Sequence, residues 1–333
     1  MKPITKLALG AGAGAAAAAA VTWVRRELAP RGAVAPPASA LAPSIAPPTD
    51  DRFVVPDDVV HHHLDTPDGG TIHALERGEG RPLVLIHGIT LRSDVWAPQL
   101  QDLADRYRVI SVDLRGHGTS AAGEAGYGID RLADDLATLL EDLDLRDAIV
   151  VGHSMGGMTA MAFCGRHPDV LAERVAGLVF VATRAHRVLP PALDRPARAL
   201  LARSHEAALE GERLPGADEV NARAARLAFG ARPSPRAVAI VAEMGAAMEP
   251  AALSQSIAGL VEHDARDALR RTHTPSLVVV GTRDLLTPVP AASHLAHLLP
   301  DAELVVLPRA GHQLMQERPR QLAELIDGFA ARI

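Results

Sequence analysis

Cysteine and aromatic residues are scarce in this chain of 333 residues. Its one cysteine, Cys164, excludes an intrachain disulfide and any zinc site built from cysteines. Aromatic residues make up 3% of the sequence, although 48% is hydrophobic, so a sizeable core has to be built from Ala, Leu and Val. The length suffices for one large α/β domain or two smaller ones.

The chain also lacks any concentration of charge of one sign. Its formal net charge is −6, and both signs are spread along the sequence without a basic stripe or an acidic tail. We therefore do not expect nucleic acid as a partner.

Groupings that would hold a metal or an organic cofactor are missing as well. No histidine–carboxylate cluster has metal-ligand spacing, and no G-x-G-x-x-G loop is present to hold a phosphate. His61, His62 and His63 are consecutive, but neighbouring residues of a strand point to opposite faces and cannot converge on one ion. We expect neither a metal nor a cofactor.

The first 51 residues lack the pattern of a folded domain. Within residues 1–30, the uncharged Ala- and Gly-rich run Leu7–Val24 is flanked by basic residues, which resembles a signal peptide or a membrane anchor. Residues 31–51 are rich in Pro and Ala and predict an extended linker. We expect export to the cell envelope or membrane association through residues 7–24, with a cytoplasmic protein carrying a disordered leader as the alternative.

Residues 52–333 alternate between strand-like apolar runs and helical periods, which predicts an α/β domain with a mostly parallel central sheet and helices on both faces. Between residues 183 and 272 the strand-like runs stop and helical segments replace them, so we expect an inserted helical lid there. The predicted strands are Val59–Leu64, Thr71–Glu76, Pro82–Ile86, Arg108–Val112, Ala148–Val151, Val175–Ala182, Ser276–Val280 and Glu303–Leu307, and the last helix is Leu314–Arg332.

One glycine-rich turn between a strand and a helix carries a serine. The apolar run Ala148–Val151 leads directly into GHSMGG at 152–157, and small apolar residues at helical spacing follow. Strand, sharp turn and helix with G-x-S-x-G is the pattern of a nucleophile elbow. Since the serine of such an elbow is strained, we expect Gly152 and Gly156 at positions where a Cβ would meet backbone.

A serine hydroxyl is a weak nucleophile until a base removes its proton, and a third group must hold that base. Asp284 and His312 stand in loops after the predicted strands at 276–280 and 303–307, the sheet edge at which ligands bind in open α/β sheets. After the strand at 175–182, the other site for the acid, no carboxylate occurs until Asp194. The sequence therefore predicts Ser154 as nucleophile, His312 as base and Asp284 as the group that orients it.

Five motifs occur in order along the chain from about Arg52 onward: HGIT at 87–90, DLRGHGTS at 113–120, GHSMGG at 152–157, GTRDLLTP at 281–288 and AGHQLMQERP at 310–319. With these motifs the chain resembles the α/β-hydrolase fold family, and within it the serine carboxylesterases and monoacylglycerol-type lipases. The resemblance implies the roles just given to the three residues, and an oxyanion hole formed by the backbone N–H groups of Ile89 and Met155. It also implies that His117 is structural rather than catalytic.

Other branches of the family fit less well. Haloalkane dehalogenases and epoxide hydrolases carry an aspartate where Ser154 stands, and the C–C bond hydrolases often have Asn in place of His153. Cofactor-free haloperoxidases, or perhydrolases, share the triad but usually carry an aromatic residue at the position of Ile89. We therefore expect a hydrolase that cleaves small carboxylic esters with aliphatic acyl groups. Perhydrolase-like activity, C–C bond hydrolysis and a non-catalytic binding protein of this fold are the alternatives, and the oligomeric state is open.

The remaining histidines are expected to be structural or exposed. His153 should point away from the serine and pack inside the elbow. His186, His205, His263 and His273 lie in or beside the helical block and should be solvated.

Overall fold

The protein is described by a computed structural model that covers residues 48–186, 223 and 225–333. Its strands are β1 (Val60–Asp65), β2 (Thr71–Arg77), β3 (Arg81–Ile86), β4 (Tyr107–Val112), β5 (Ala148–His153), β6 (Val175–Val181), β7 (Ser276–Gly281) and β8 (Ala302–Leu307). They form an 8-stranded sheet in the order β1-β2-β4-β3-β5-β6-β7-β8. β1 pairs antiparallel with β2, and β2 pairs antiparallel with β4, whereas all other neighbours are parallel.

Helices cover both faces of this sheet, as the alternation of strands and helices predicts. They are α1 (Ala97–Leu103), α2 (Ile129–Asp142), α3 (Met155–Arg166), α4 (Pro168–Arg174), α5 (Pro235–Ala247), α6 (Pro250–Glu262), α7 (Arg266–Arg270), α8 (Val289–Leu298), α9 (Leu314–Glu317) and α10 (Pro319–Ala330). α2, α3 and α8 pack on one face of the sheet, and α1 and α10 pack on the other.

The central strand β5 shows why its sequence is a continuous apolar run. Ala148 and Val150 belong to the core under α2 and α3, whereas Ile149 and Val151 belong to the core under α1 and α10. Because successive side chains of a strand alternate between faces, a strand that is covered on both sides needs an apolar residue at every position.

The predicted single C-terminal helix, Leu314–Arg332, is wrong. The chain forms α9 and α10 instead, and the break falls at Arg318, whose φ is −138° and ψ 49°. Pro319 explains the break, because a proline disfavours the helical conformation of the residue before it and starts a new helix well.

Two predicted segments lie largely outside the described residues: the anchor-like run Leu7–Val24 with most of the linker at 31–51, and residues 187–222 of the lid. In the described part of residues 183–272 the chain forms α5, α6 and α7, and His186 and Asp264 pair in an isolated bridge. Within the described ranges, no one helix has both the length and the hydropathy of a membrane span. α5 and α6 meet these two criteria only as a pair, which is bent by 105°.

Candidate active site

Ser154 occupies the turn between β5 and α3 in a strained backbone conformation. Its φ is 51° and its ψ is −113°, values that L-residues rarely adopt. A Cβ at Gly152 would lie 2.5 Å from the carbonyl oxygen of Gly156, and a Cβ at Gly156 would collide with the carbonyl oxygen of Ile86. Both positions therefore require glycine, and the first turn of α3 packs directly against the end of β3.

His312 and Asp284 meet at the same edge of the sheet, in the loops after β8 and β7. The His312 Nδ1 lies 2.9 Å from the Asp284 Oδ2, and both side chains are buried. The second carboxylate oxygen accepts the N–H groups of Leu286 and Thr287, each at 2.8 Å, and the Thr287 hydroxyl donates to Oδ2 at 2.7 Å. Because the carboxylate can only accept, the His312 Nδ1 carries its proton, and Nε2 is left as the basic nitrogen.

The backbone of Ser154 is fixed on both sides. Its N–H donates to the carbonyl oxygen of Val181 at 3.0 Å, and its carbonyl oxygen accepts the Thr183 hydroxyl at 2.7 Å. Among the described residues no hydrogen bond joins the Ser154 hydroxyl to the His312 ring. In unliganded hydrolases such a contact is often long and tightens only when substrate binds.

The loop after β3 is held by two buried histidines. The His87 Nδ1 donates to the carbonyl oxygen of Gly88 at 2.7 Å, and its Nε2 accepts the N–H of Leu114 at 3.0 Å. The His117 Nε2 accepts the N–H of Thr90 at 3.3 Å. These bonds hold the backbone of Gly88 and Thr90, the two neighbours of Ile89, and so fix the position of the Ile89 N–H.

Strained residues other than glycine follow several strands around the site. Thr90, Ser154, Ala182 and Arg309 come after β3, β5, β6 and β8, and all have positive φ between 46° and 64°. Such strain concentrates at functional sites. The sequence contains no signal for Thr90, Ala182 and Arg309, because a positive φ is usually foreseen only at Gly, Asn or Asp.

Asp113 fastens the loop of the DLRGHGTS motif. Its carboxylate accepts the N–H of Ser93 at 2.6 Å, the N–H of Thr119 at 3.1 Å and the Nδ1–H of His73 at 2.8 Å. Burial acts to raise the pKa of Asp113, but these donors and nearby His87 lower it to about 2. The His73 ring also lies 2.9 Å, nitrogen to nitrogen, from the exposed His61.

Two histidines of the helical block are not solvated, which corrects the sequence-based expectation. His263 is buried and His186 is half-buried; the Nε2 of His263 and the Nδ1 of His186 have no hydrogen-bond partner among the described residues. Burial lowers the pKa of both rings to about 4. The bridge between His186 and Asp264 explains the burial, because it draws the two segments together. His273 is exposed, and His205 and Asp194 lie outside the described residues.

A cleft of about 430 Å³ opens beside the loop that carries Ile89. The loop after β4 and the junction of α5 and α6 form its other walls, which include His117, Tyr127, Met244 and Met248. In the part of the chain that the structure describes, no group of three or more His, Cys, Asp or Glu side chains is arranged to hold a metal ion.

A mostly parallel sheet, a strained serine after its central strand and a histidine–aspartate pair in the loops at the same edge of the sheet are features of a hydrolase of the α/β type. The chain belongs to the alpha/beta hydrolase fold family, whose model matches residues 81–319.

Curated proteins and solved structures resemble the chain over most of its length. A 2-(acetamidomethylene)succinate hydrolase from Mesorhizobium japonicum is 31% identical over 264 residues, which are 78% of this chain and 91% of that protein. A pimeloyl-[acyl-carrier protein] methyl ester esterase from Chromobacterium violaceum is 34% identical over 260 residues, 75% of this chain and 96% of that protein. The structure of a thermophilic esterase from Thermogutta terrifontis superposes with a TM-score of 0.71 at 26% identity, covering 82% of this chain and 98% of that one.

Proposed function

We propose that the protein is a serine hydrolase that cleaves carboxylic esters through an acyl-enzyme intermediate on Ser154. The hydrogen bond between His312 and Asp284, at the sheet edge to which the strained Ser154 also belongs, is the observation that carries this proposal. It fixes the tautomer of His312 that has a free basic Nε2, which is the form that a general base requires.

In the first half of the proposed reaction, the His312 Nε2 takes the proton of the Ser154 hydroxyl while Oγ attacks the ester carbonyl carbon. The N–H groups of Ile89 and Met155 stabilise the oxyanion that forms, and Met155 contributes the first N–H of α3, which has no partner within the helix. Collapse of the intermediate breaks the bond to the alkoxide, which leaves as an alcohol with the proton from His312.

In the second half, water attacks the acyl-enzyme. His312 takes a proton from the water, the oxyanion forms at the same two N–H groups, and Ser154 leaves with the proton that His312 held. Asp284 keeps its charge throughout and stabilises the imidazolium of His312 in both halves. All atoms are supplied by the ester, the water and the chain, so the proposal needs no cofactor.

The names of the relatives support ester cleavage and add one candidate. The methyl ester esterase and the thermophilic esterase favour an ester as the substrate. The many Ala, Leu and Val residues of the proposed lid at 183–272 favour an aliphatic acyl group. The 2-(acetamidomethylene)succinate hydrolase favours testing an amide as the second candidate substrate.

The proposal is tested with a fluorophosphonate probe and a panel of p-nitrophenyl esters of rising chain length, with a thioester and an amide beside them. Labelling and turnover by the wild type, and neither by Ser154→Ala, are the expected results. Equal labelling of both proteins would contradict the assignment of Ser154 and place the reactive nucleophile elsewhere. Labelling of neither protein would favour a binding protein. Activity that requires hydrogen peroxide would favour the perhydrolase branch. Activity only on a substrate whose C–C bond is cleaved would favour the C–C bond hydrolases.

The same panel tests the assignment of the acid and the absence of a cofactor. Asp284→Asn and His312→Ala should each remove most turnover, and the losses should not add in the double variant, because residues that act as a unit are not additive. Near-normal turnover by Asp284→Asn would exclude it as the acid and direct attention to Asp194. Turnover should survive EDTA and dialysis, and restoration of lost activity by zinc or magnesium would contradict a metal-free reaction.

A further inference from the structure

His153, the residue before Ser154, contacts His312 in two ways. Its Nε2 lies 3.0 Å from the carbonyl oxygen of His312, and the two ring centroids are 4.7 Å apart at an interplanar angle of 58°. His153 is only 1% exposed. Because a carbonyl oxygen can only accept, the Nε2 of His153 carries a proton and donates it to the main chain of His312.

The other nitrogen of His153 is left without a partner. Its Nδ1 is buried and makes no hydrogen bond within the described residues, and it faces the backbone of Gly88, where a Cβ would lie 2.9 Å away. An unsatisfied buried acceptor destabilises a fold, a penalty that a hydrocarbon side chain of the same size would avoid. Packing alone therefore does not account for a histidine at this position.

His153 stays neutral in this environment. Burial holds its pKa well below the usual range, and the neighbouring His312 lowers it further. A neutral ring can remain against His312 while His312 gains a proton, whereas a charged one would repel the imidazolium. The contact is thus compatible with both protonation states of the proposed base.

We propose that His153 is a positioning residue that holds His312 over Ser154. Asp284 fixes the His312 ring at its Nδ1 edge, and His153 fixes its main chain and one side of its ring. Since His153 and Ser154 are consecutive, the end of β5 places the nucleophile and the support of its base in one rigid unit. This inference rests on the proposed function, in which His312 is the base.

Two substitutions separate positioning from packing. His153→Phe keeps a ring against His312 but removes the donor, and His153→Asn keeps an N–H donor on a smaller side chain. We expect His153→Phe to fold, with kcat for p-nitrophenyl acetate reduced about 10- to 100-fold and KM changed by less than about threefold, as for the misplacement of a reacting group. His153→Asn should recover part of the lost kcat, which a packing role would not produce.

A second readout needs no substrate. The proton between His312 and Asp284 should give a downfield NMR resonance in the wild type, which should broaden or shift in His153→Phe and disappear in Asp284→Asn. If His153→Phe has the same kcat as the wild type and its resonance does not move, the positioning role is overturned. Labelling of Ser154 would in that case still support hydrolysis. If the wild type neither turns over nor labels, the proposed function fails, and the NMR comparison alone decides whether His153 holds His312.

Discussion

Glu317 accepts the backbone N–H of Gly311, the residue before His312, at 3.0 Å from each carboxylate oxygen. The same carboxylate accepts the N–H of Gly230 at 2.8 Å, and the N–H of His312 donates to the carbonyl oxygen of Ala228 at 2.7 Å. Glu317 is buried, and burial raises its pKa. The short helix α9, which ends at Glu317, thus joins the His312 loop to residues 228–230 of the helical block.

Removing this carboxylate should weaken the fold at the His312 loop. In Glu317→Ala two buried N–H groups lose their acceptor, and each such loss costs about 1–3 kcal/mol. We expect a decrease of about 2–6 kcal/mol in the free energy of unfolding by urea and a lower kcat on p-nitrophenyl acetate. Glu324→Ala, on the exposed side of α10, is the matched control and should change neither quantity. Equal stability of the two variants would contradict a structural role for Glu317.

Buried neutral histidines should make the protein lose stability in mild acid. The pKa of His117 is lowered from the usual 6.5 to about 3, mainly by burial and secondly by the nearby His87. Below pH 6.5 the unfolded chain binds a proton at His117 that the folded chain does not bind. The stability that the neutral His117 contributes is therefore fully present above pH 6.5 and is lost as the pH falls towards about 3. One such group contributes a slope of about 1.4 kcal/mol per pH unit.

Urea unfolding at about pH 7, 6 and 5 measures this slope. His117→Gln should make the free energy of unfolding less dependent on pH by the contribution of one proton, because glutamine does not titrate. The exposed His297→Gln should leave the slope as it is in the wild type. An identical slope in the His117 variant and the wild type would show that this ring does not stay neutral in the fold.

The sequence predicted the parts of the fold that depend on local patterns. Strand-like runs and turn signals predicted every strand of the sheet to within a residue or two. The prediction is simplest for a continuous apolar run such as β5, since a strand buried on both faces has few other interpretations. The break at Arg318 could also have been read, because Pro319 follows it directly. The helical period of 314–332 continues across this proline and conceals the break.

Contacts between distant residues could not be read from the sequence. His153 and His312 are 159 positions apart, and Gly230 and Glu317 are 87 positions apart. Glu317 has the same appearance in the sequence as the exposed Glu324. The burial of His263 was missed because it follows from the pairing of two loops, and not from any periodicity in its own segment.

The cleft beside the Ile89 loop offers a test of the proposed lid. Met248, at the junction of α5 and α6, lines this cleft, and Met248→Trp would fill part of it. We expect kcat/KM for p-nitrophenyl octanoate to fall about tenfold or more relative to the acetate, since a hydrophobic pocket discriminates by such factors. Leu227→Trp is the control, because Leu227 is exposed in the same block and does not line the cleft. An unchanged octanoate-to-acetate ratio in Met248→Trp would exclude the cleft as the acyl site.

The folded domain should begin near Thr49, slightly before the predicted boundary at residue 52. Phe53 is buried against α1, Arg52 lies 2.5 Å from Asp102, and the Gln101 side chain donates to the carbonyl oxygen of Val54 at 2.7 Å. A protein that starts at Thr49 should match the full chain in unfolding free energy. One that starts at Asp57 should lose about 3–5 kcal/mol, the usual cost of removing a buried phenylalanine. Equal stability of the two truncated proteins would show that this contact contributes nothing.

The same truncation at Thr49 tests our proposal that residues 7–24 anchor or export the enzyme. The uncharged run between basic residues is the reason for the proposal, and the Pro/Ala-rich stretch after it contains too little apolar surface to fold by itself. We expect the full chain to fractionate with membranes or the cell envelope of its host, the truncated protein to stay in the soluble fraction, and both to hydrolyse p-nitrophenyl acetate with the same kcat/KM. Soluble cytoplasmic recovery of both proteins would reject the anchor and favour a disordered leader. A lower kcat/KM in the truncated protein would show instead that the N-terminal segment takes part in the site.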